Sequence, residues 1–82
     1  MELQAFPNPA ISGIPVTVLV KIPVNQTATL TLHDLTGREI ETRRVTEAGR
    51  YIFESTGTLP SGCYYLTLNL GNSSVSVKLV RF

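Results

Sequence analysis

Few side chains in this sequence are equipped for chemistry, and they stand apart from one another. Cys63 is the one cysteine and can make no internal disulfide. A catalytic thiol needs an activating base in a cleft. Cys63 instead lies between Gly62 and Tyr64 in a strand-like run, which reads as a small structural residue. His33, the one histidine, follows the alternating Thr27-Ala28-Thr29-Leu30-Thr31-Leu32 on its threonine side. No second His or Cys stands at ligand spacing, so no metal is expected there. Asp34 opens Asp34-Leu35-Thr36-Gly37. Calcium loops need several oxygen ligands, whereas Asp first and Gly last suit a type I turn closed by a left-handed glycine. With no nucleophile beside a base, no paired carboxylates and no phosphate-cradling glycine loop, neither catalytic residues nor a cofactor are expected. Two sequons, Asn25-Gln26-Thr27 and Asn72-Ser73-Ser74, fall in predicted turns, where such residues are common anyway; they carry chemistry only in a eukaryotic secretory pathway.

The elements that position these residues are short strands. The chain has 82 residues, 43% hydrophobic and 16% charged, which fits one globular β domain and argues against disorder. A domain of this size buries about 60 to 65% of its unfolded surface, so a single core truncation is costly. The formal net charge is +1, and Arg38, Arg43, Arg44 and Arg50 are interleaved with Glu39, Glu41 and Glu47. Nucleic-acid binding calls for a basic face, so no nucleic-acid partner is expected. No apolar run approaches the ~20 residues that cross a bilayer. Residues 1 to 20 lack the charged start and cleavage site of a signal peptide. The sequence is expected to be a single domain, 1–82, cut from a longer chain.

The strongest local pattern runs from Gly62 to Phe82. Gly71-Asn72 is a favoured two-residue connection between antiparallel strands. It sets Leu70 opposite Ser73, Leu68 opposite Val75, Leu66 opposite Val77 and Tyr64 opposite Leu79. Tyr64, Leu66, Leu68, Val75, Val77 and Leu79 then share a core face. The other face carries Cys63 with Val80, Tyr65 with Lys78, Thr67 with Ser76 and Asn69 with Ser74. A slip of one residue would exchange the faces.

Upstream, Leu3–Phe6 reads as a first strand, stopped by Phe6-Pro7-Asn8-Pro9, a stiff non-helical spacer. A break at Ser12-Gly13 precedes a second strand, Ile14–Ile22, with Ile14, Val16, Val18, Val20 and Ile22 on one face. Residues 27–33 give a third, with Ala28, Leu30 and Leu32 inward. Glu39–Val45, largely charged, is a fourth and suits a sheet edge. Arg50–Glu54 is a fifth. Ser55–Gly62 is a crossing loop with Leu59 as its expected buried plug. Seven short strands with turn signals between them predict an all-β, antiparallel sandwich. The cysteine pair and tryptophan of antibody domains are absent. Tyr64 heads the sixth strand as the tyrosine of a tyrosine corner does, which predicts a hydroxyl bond to upstream backbone.

Four boxes now stand in order: Phe6-Pro7-Asn8-Pro9, Asp34-Leu35-Thr36-Gly37-Arg38-Glu39, Leu59-Pro60-Ser61-Gly62-Cys63-Tyr64 and Lys78-Leu79-Val80-Arg81-Phe82. In these boxes and their spacing the whole chain resembles the type A C-terminal sorting domain of the bacterial type IX secretion system. That family opens on an aromatic-Pro-Asn-Pro box, has a D-L-x-G-[RK] turn and an L-x-x-G-x-Y segment, and closes on a Lys with an aliphatic pair. Its motif residues map here onto Phe6, Pro7, Asn8, Pro9, Asp34, Gly37, Gly62 and Tyr64. Phe6 stands where Tyr is commoner, Cys63 where Val or Ile is usual, and Arg81-Phe82 where Lys or Arg is often last. The resemblance implies a seven-stranded immunoglobulin-like β-sandwich that directs an upstream cargo, by way of the periplasm, through the outer-membrane translocon. It implies shuttle proteins and a surface sortase as further partners, and a final location at the outer-membrane surface or outside the cell. Lys78, Leu79, Val80, Arg81 and Phe82 are the expected export signal.

The tail can be read by strand addition along its backbone or as the surface of a folded hairpin. Exposed edges such as the first or last strand are also open to pairing between copies, as a homodimer. From another class, a carbohydrate-binding or adhesion sandwich would call for exposed aromatics, and Tyr65 is the one clear outward candidate.

Overall fold

The computed structural model describes residues 1–11 and 13–82. Among the described residues seven strands form: β1 (Glu2–Phe6), β2 (Val16–Lys21), β3 (Ala28–Asp34), β4 (Glu39–Val45), β5 (Gly49–Phe53), β6 (Gly62–Leu70) and β7 (Ser73–Arg81). They make two antiparallel sheets, one in the order β1-β2-β5 and one in the order β4-β3-β6-β7. Buried residues of both sheets join one apolar cluster, with Val16, Val18, Val20 and Phe53 from the smaller and Leu30, Leu32, Leu66, Leu68 and Leu79 from the larger. The period-2 alternation supplies these faces: β2 and β3 each bury every second residue.

The terminal hairpin adopts the register that its turn dictates, from Leu70↔Ser73 through Tyr64↔Leu79 to Gly62↔Arg81. Gly71 takes φ +58°, as the first central position of such a turn requires. Tyr64, Leu66, Leu68 and Leu79 are buried, and Val75 and Val77 pack partly against the same cluster. β4 lies at a sheet edge, as its charge predicts. It also leans across the gap between the sheets: the Arg43 guanidinium sits 4.7 Å from the centre of the Phe53 ring on β5. Arg43 Nε pairs with Glu41 at 2.8 Å, and the Ser55 hydroxyl donates to the other oxygen of that carboxylate at 2.5 Å.

Three expectations are corrected. β2 starts at Val16 and not at Ile14, because Pro15 has no amide to give a ladder and the Ile14 amide is used in a turn to the Ile11 carbonyl. Ile14 is therefore exposed. Of the expected Ser12-Gly13 break, Gly13 has a positive φ, and Ser12 lies outside the described residues. The fifth strand ends at Phe53, and Glu54–Thr58 forms a 3-10 turn. Within that turn Thr56, not Leu59, is the fully buried residue; Leu59 is half-buried. The Thr56 hydroxyl meets both the Val16 amide, which donates to it at 2.6 Å, and the Phe53 carbonyl, to which it donates. A buried loop must satisfy its neighbours' backbone groups, and a hydroxyl does so where a leucine cannot.

Candidate functional site

Strand direction brings the four boxes to one pole of the molecule. β3 ends at Asp34, which pairs with Tyr64 near the start of β6, while Gly62 pairs with Arg81 at the end of β7. The segment after Phe6, the last residue of β1, runs alongside that same end, where Ala10 bridges Arg81 in parallel. Residue 1 lies at the other pole with the Gly71-Asn72 turn, because Glu2 pairs with Lys21 at the end of β2.

At the box pole the first and last segments are sewn together. Both proline bonds of the first box, Phe6-Pro7 and Asn8-Pro9, are cis. The Asn8 side chain donates through Nδ2 to the Lys78 carbonyl at 2.8 Å and accepts through Oδ1 from the Val80 amide at 3.1 Å. The Ala10 amide donates to the Val80 carbonyl at 2.6 Å, and the Phe82 amide donates to the Ala10 carbonyl at 3.3 Å. The Asn-Pro box is thus more than the spacer its prolines suggested.

The tail residues divide by strand alternation. Leu79 and Arg81 point inward and are buried, Arg81 to 3% exposure. Arg81 donates from Nε to the Leu59 carbonyl at 3.0 Å and from Nη2 to the Gly57 carbonyl at 2.9 Å. Lys78, Val80 and Phe82 face outward, and Phe82 is 73% exposed. Across the ladder, Tyr65 stands opposite Lys78 and Cys63 opposite Val80, both half-buried. Tyr65 also stacks on His33 with ring centres 5.8 Å apart, and His33 Nε2 lies 3.1 Å from the Thr67 hydroxyl. His33 and Cys63 are half-buried strand residues, and no group of three or more His, Cys, Asp or Glu residues that could hold a metal occurs among the described residues.

The two remaining boxes supply rigid turns. The Tyr64 hydroxyl donates to the Pro60 carbonyl at 2.6 Å, the bond expected of a tyrosine corner. Asp34 Oδ1 accepts from the Thr36 amide at 2.9 Å, the Thr36 hydroxyl at 2.6 Å and the Arg38 amide at 3.0 Å. Its Oδ2 lies 3.4 Å from Arg38 Nε. The Thr36 hydroxyl is the main reason the Asp34 carboxyl titrates below its ordinary value, helped by the Arg38 and Thr36 amides and the Arg38 charge. Gly37 closes the turn at φ +88°, donating to the Asp34 carbonyl at 3.1 Å. An open cleft of about 300 Å³ between Pro23–Asn25 and Thr46–Ala48 lies at the opposite pole, away from every box.

A family model, the secretion system C-terminal sorting domain, matches residues 4–81, from the first strand through Arg81. The chain belongs to that family. It is a type IX secretion C-terminal sorting domain, a sorting signal and not a member of an enzyme family, and it implies a secreted protein with cargo upstream and secretion machinery as partner. No curated protein and no solved structure matches. Three contributors to the sorting domain's box pole escaped the sequence: Ala10, Thr56 and the Gly57 carbonyl. Ala10 and Gly57 act through backbone, which leaves no side-chain pattern, and Thr56 hides in a Ser-Thr-Gly-Thr run that reads as loop.

Proposed function

We propose that the box pole is the surface by which this domain delivers its cargo to the type IX outer-membrane translocon. The cargo passes through the periplasm, is linked to the cell surface by the sortase, and Lys78–Phe82 is the recognition segment. The observation that carries this reading is the convergence of all four boxes on one pole, with residue 1 at the other. Whatever precedes the domain then joins it away from the surface to be read. The strand order β1-β2-β5 against β4-β3-β6-β7 suits an immunoglobulin-like plan in which the fourth strand joins the second sheet. Such a plan holds its loops and termini rigidly at two ends, which favours recognition of a preformed surface.

The test is residues 1–82 fused to a periplasmic reporter, expressed in a bacterium with the secretion system and in its translocon-deficient counterpart. Surface display in the first strain alone is expected. Equal display in both overturns the reading.

A further inference from the structure

We propose that the tail of β7 is read through its outward side chains, with Asn8 as the positioning residue that closes its backbone edge against strand addition. This rests on the sorting function proposed above and concerns how the tail is recognised. β7 is the outermost strand of its sheet, so one row of its backbone groups points away from β6. In the hairpin register those outer groups belong to Ser74, Ser76, Lys78 and Val80. An unpaired row of this kind is the usual template for an incoming strand.

From the Lys78 carbonyl onward that row is already occupied. The Lys78 carbonyl, the Val80 amide and the Val80 carbonyl are taken by Asn8 and Ala10, and the Phe82 amide is taken by Ala10. A carboxamide carries one acceptor and a two-hydrogen donor, so a single Asn side chain can serve a carbonyl and an amide of a strand as a neighbouring peptide would. An arriving strand would have to break these bonds before making its own. Nothing comparable bonds the outer backbone of Ser74 or Ser76 among the described residues, so the closure is confined to the recognition segment.

The side chains remain. Lys78, Val80 and Phe82 form one outward row, bordered by Tyr65 and Cys63. Lys78 makes no ion pair among the described residues, and Phe82 presents most of its ring to solvent. This row fits a receptor protein with an apolar recess for Phe82 and Val80 and a carboxylate facing Lys78.

The experiment uses the reporter fusion of residues 1–82 in both strains, with melting temperature and amide exchange measured on the purified 82-residue chain. Lys78→Glu combined with Phe82→Ala is expected to leave the melting temperature in place and to lower translocon-dependent display by roughly tenfold or more. Asn8→Ala is expected to speed exchange of the Val80 amide by roughly tenfold while the Leu66 and Leu68 amides hold. Its display should fall below that of Val18→Ala, a core truncation on the other sheet, at a temperature where both are folded. Strand addition demands the reverse: an opened edge that displays as well as or better than the unaltered chain, and indifference to the Lys78 and Phe82 changes. Either result overturns the proposal. If Asn8→Ala does not fold, the surface pair decides alone. Display of the unaltered chain without the translocon would remove the sorting function itself; translocon-dependent display blind to the surface pair would remove only this inference.

Discussion

Asp34 shows how much one carboxylate organises: three donors on Oδ1 fix a turn that Gly37 closes. Because its carboxyl titrates below the ordinary range when folded, Asp34 stabilises the fold above the unfolded-state value, and that contribution is lost as pH falls through the folded-state value. Urea midpoints measured across the acid range should therefore decline with falling pH, and Asp34→Asn should remove part of the decline. An identical acid limb in the variant would assign the loss to other carboxylates. Tyr64→Phe removes the hydroxyl bond to Pro60, and about 0.5 to 1.5 kcal/mol should be lost in chemical denaturation. Unchanged stability would make the corner ornamental. Both residues were legible in sequence because the rules behind them are local, one side chain acting on backbone within four positions. Arg81 was not. Its guanidinium holds carbonyls of residues 57 and 59, and a carbonyl oxygen looks the same on every residue.

Among the elements, the terminal hairpin was readable to the residue pair, since a two-residue turn and a two-sided polarity pattern constrain the same register. The start of β2 was not, because Ile14 continues the alternation perfectly while Pro15 removes the amide that would extend the ladder. The Glu54–Thr58 turn shows a third case, where glycine and threonine content signals a loop without signalling which residue fills the core beneath it. Thr56→Val keeps the volume but leaves the Val16 amide without its acceptor, and about 1 to 3 kcal/mol should disappear in equilibrium unfolding. A neutral result would mean that water or another carbonyl replaces the hydroxyl. Within the hairpin, deleting Lys78 to Phe82 should abolish surface display, whereas Val77→Ala should cost about 1 to 2 kcal/mol and leave display intact in folded chains. Normal display of the deletion would reduce the strand to scaffold.

The whole molecule measures 36 × 24 × 15 Å, and its long shape gives the two poles separate neighbourhoods. Leu35, within the second box, and Val24 at the far pole are 66% and 86% exposed, so each can change without disturbing the core. Leu35→Asp should lower translocon-dependent display while Val24→Asp does not, with melting temperatures alike. The opposite pattern would put the read surface beside residue 1. Polarity of this sort was hidden in the sequence, where the boxes are dispersed across the chain and only strand direction gathers them. The Asn8 bonds reach 70 and 72 residues along the chain, so they close long loops. Contacts between such distant positions cannot exist in a chain that has not been made to its last strand, and they are among the slowest to form afterwards. A tail shaped by Asn8 is consequently a late product of folding: the surface it presents takes its final form only once the first and last strands of the domain have met.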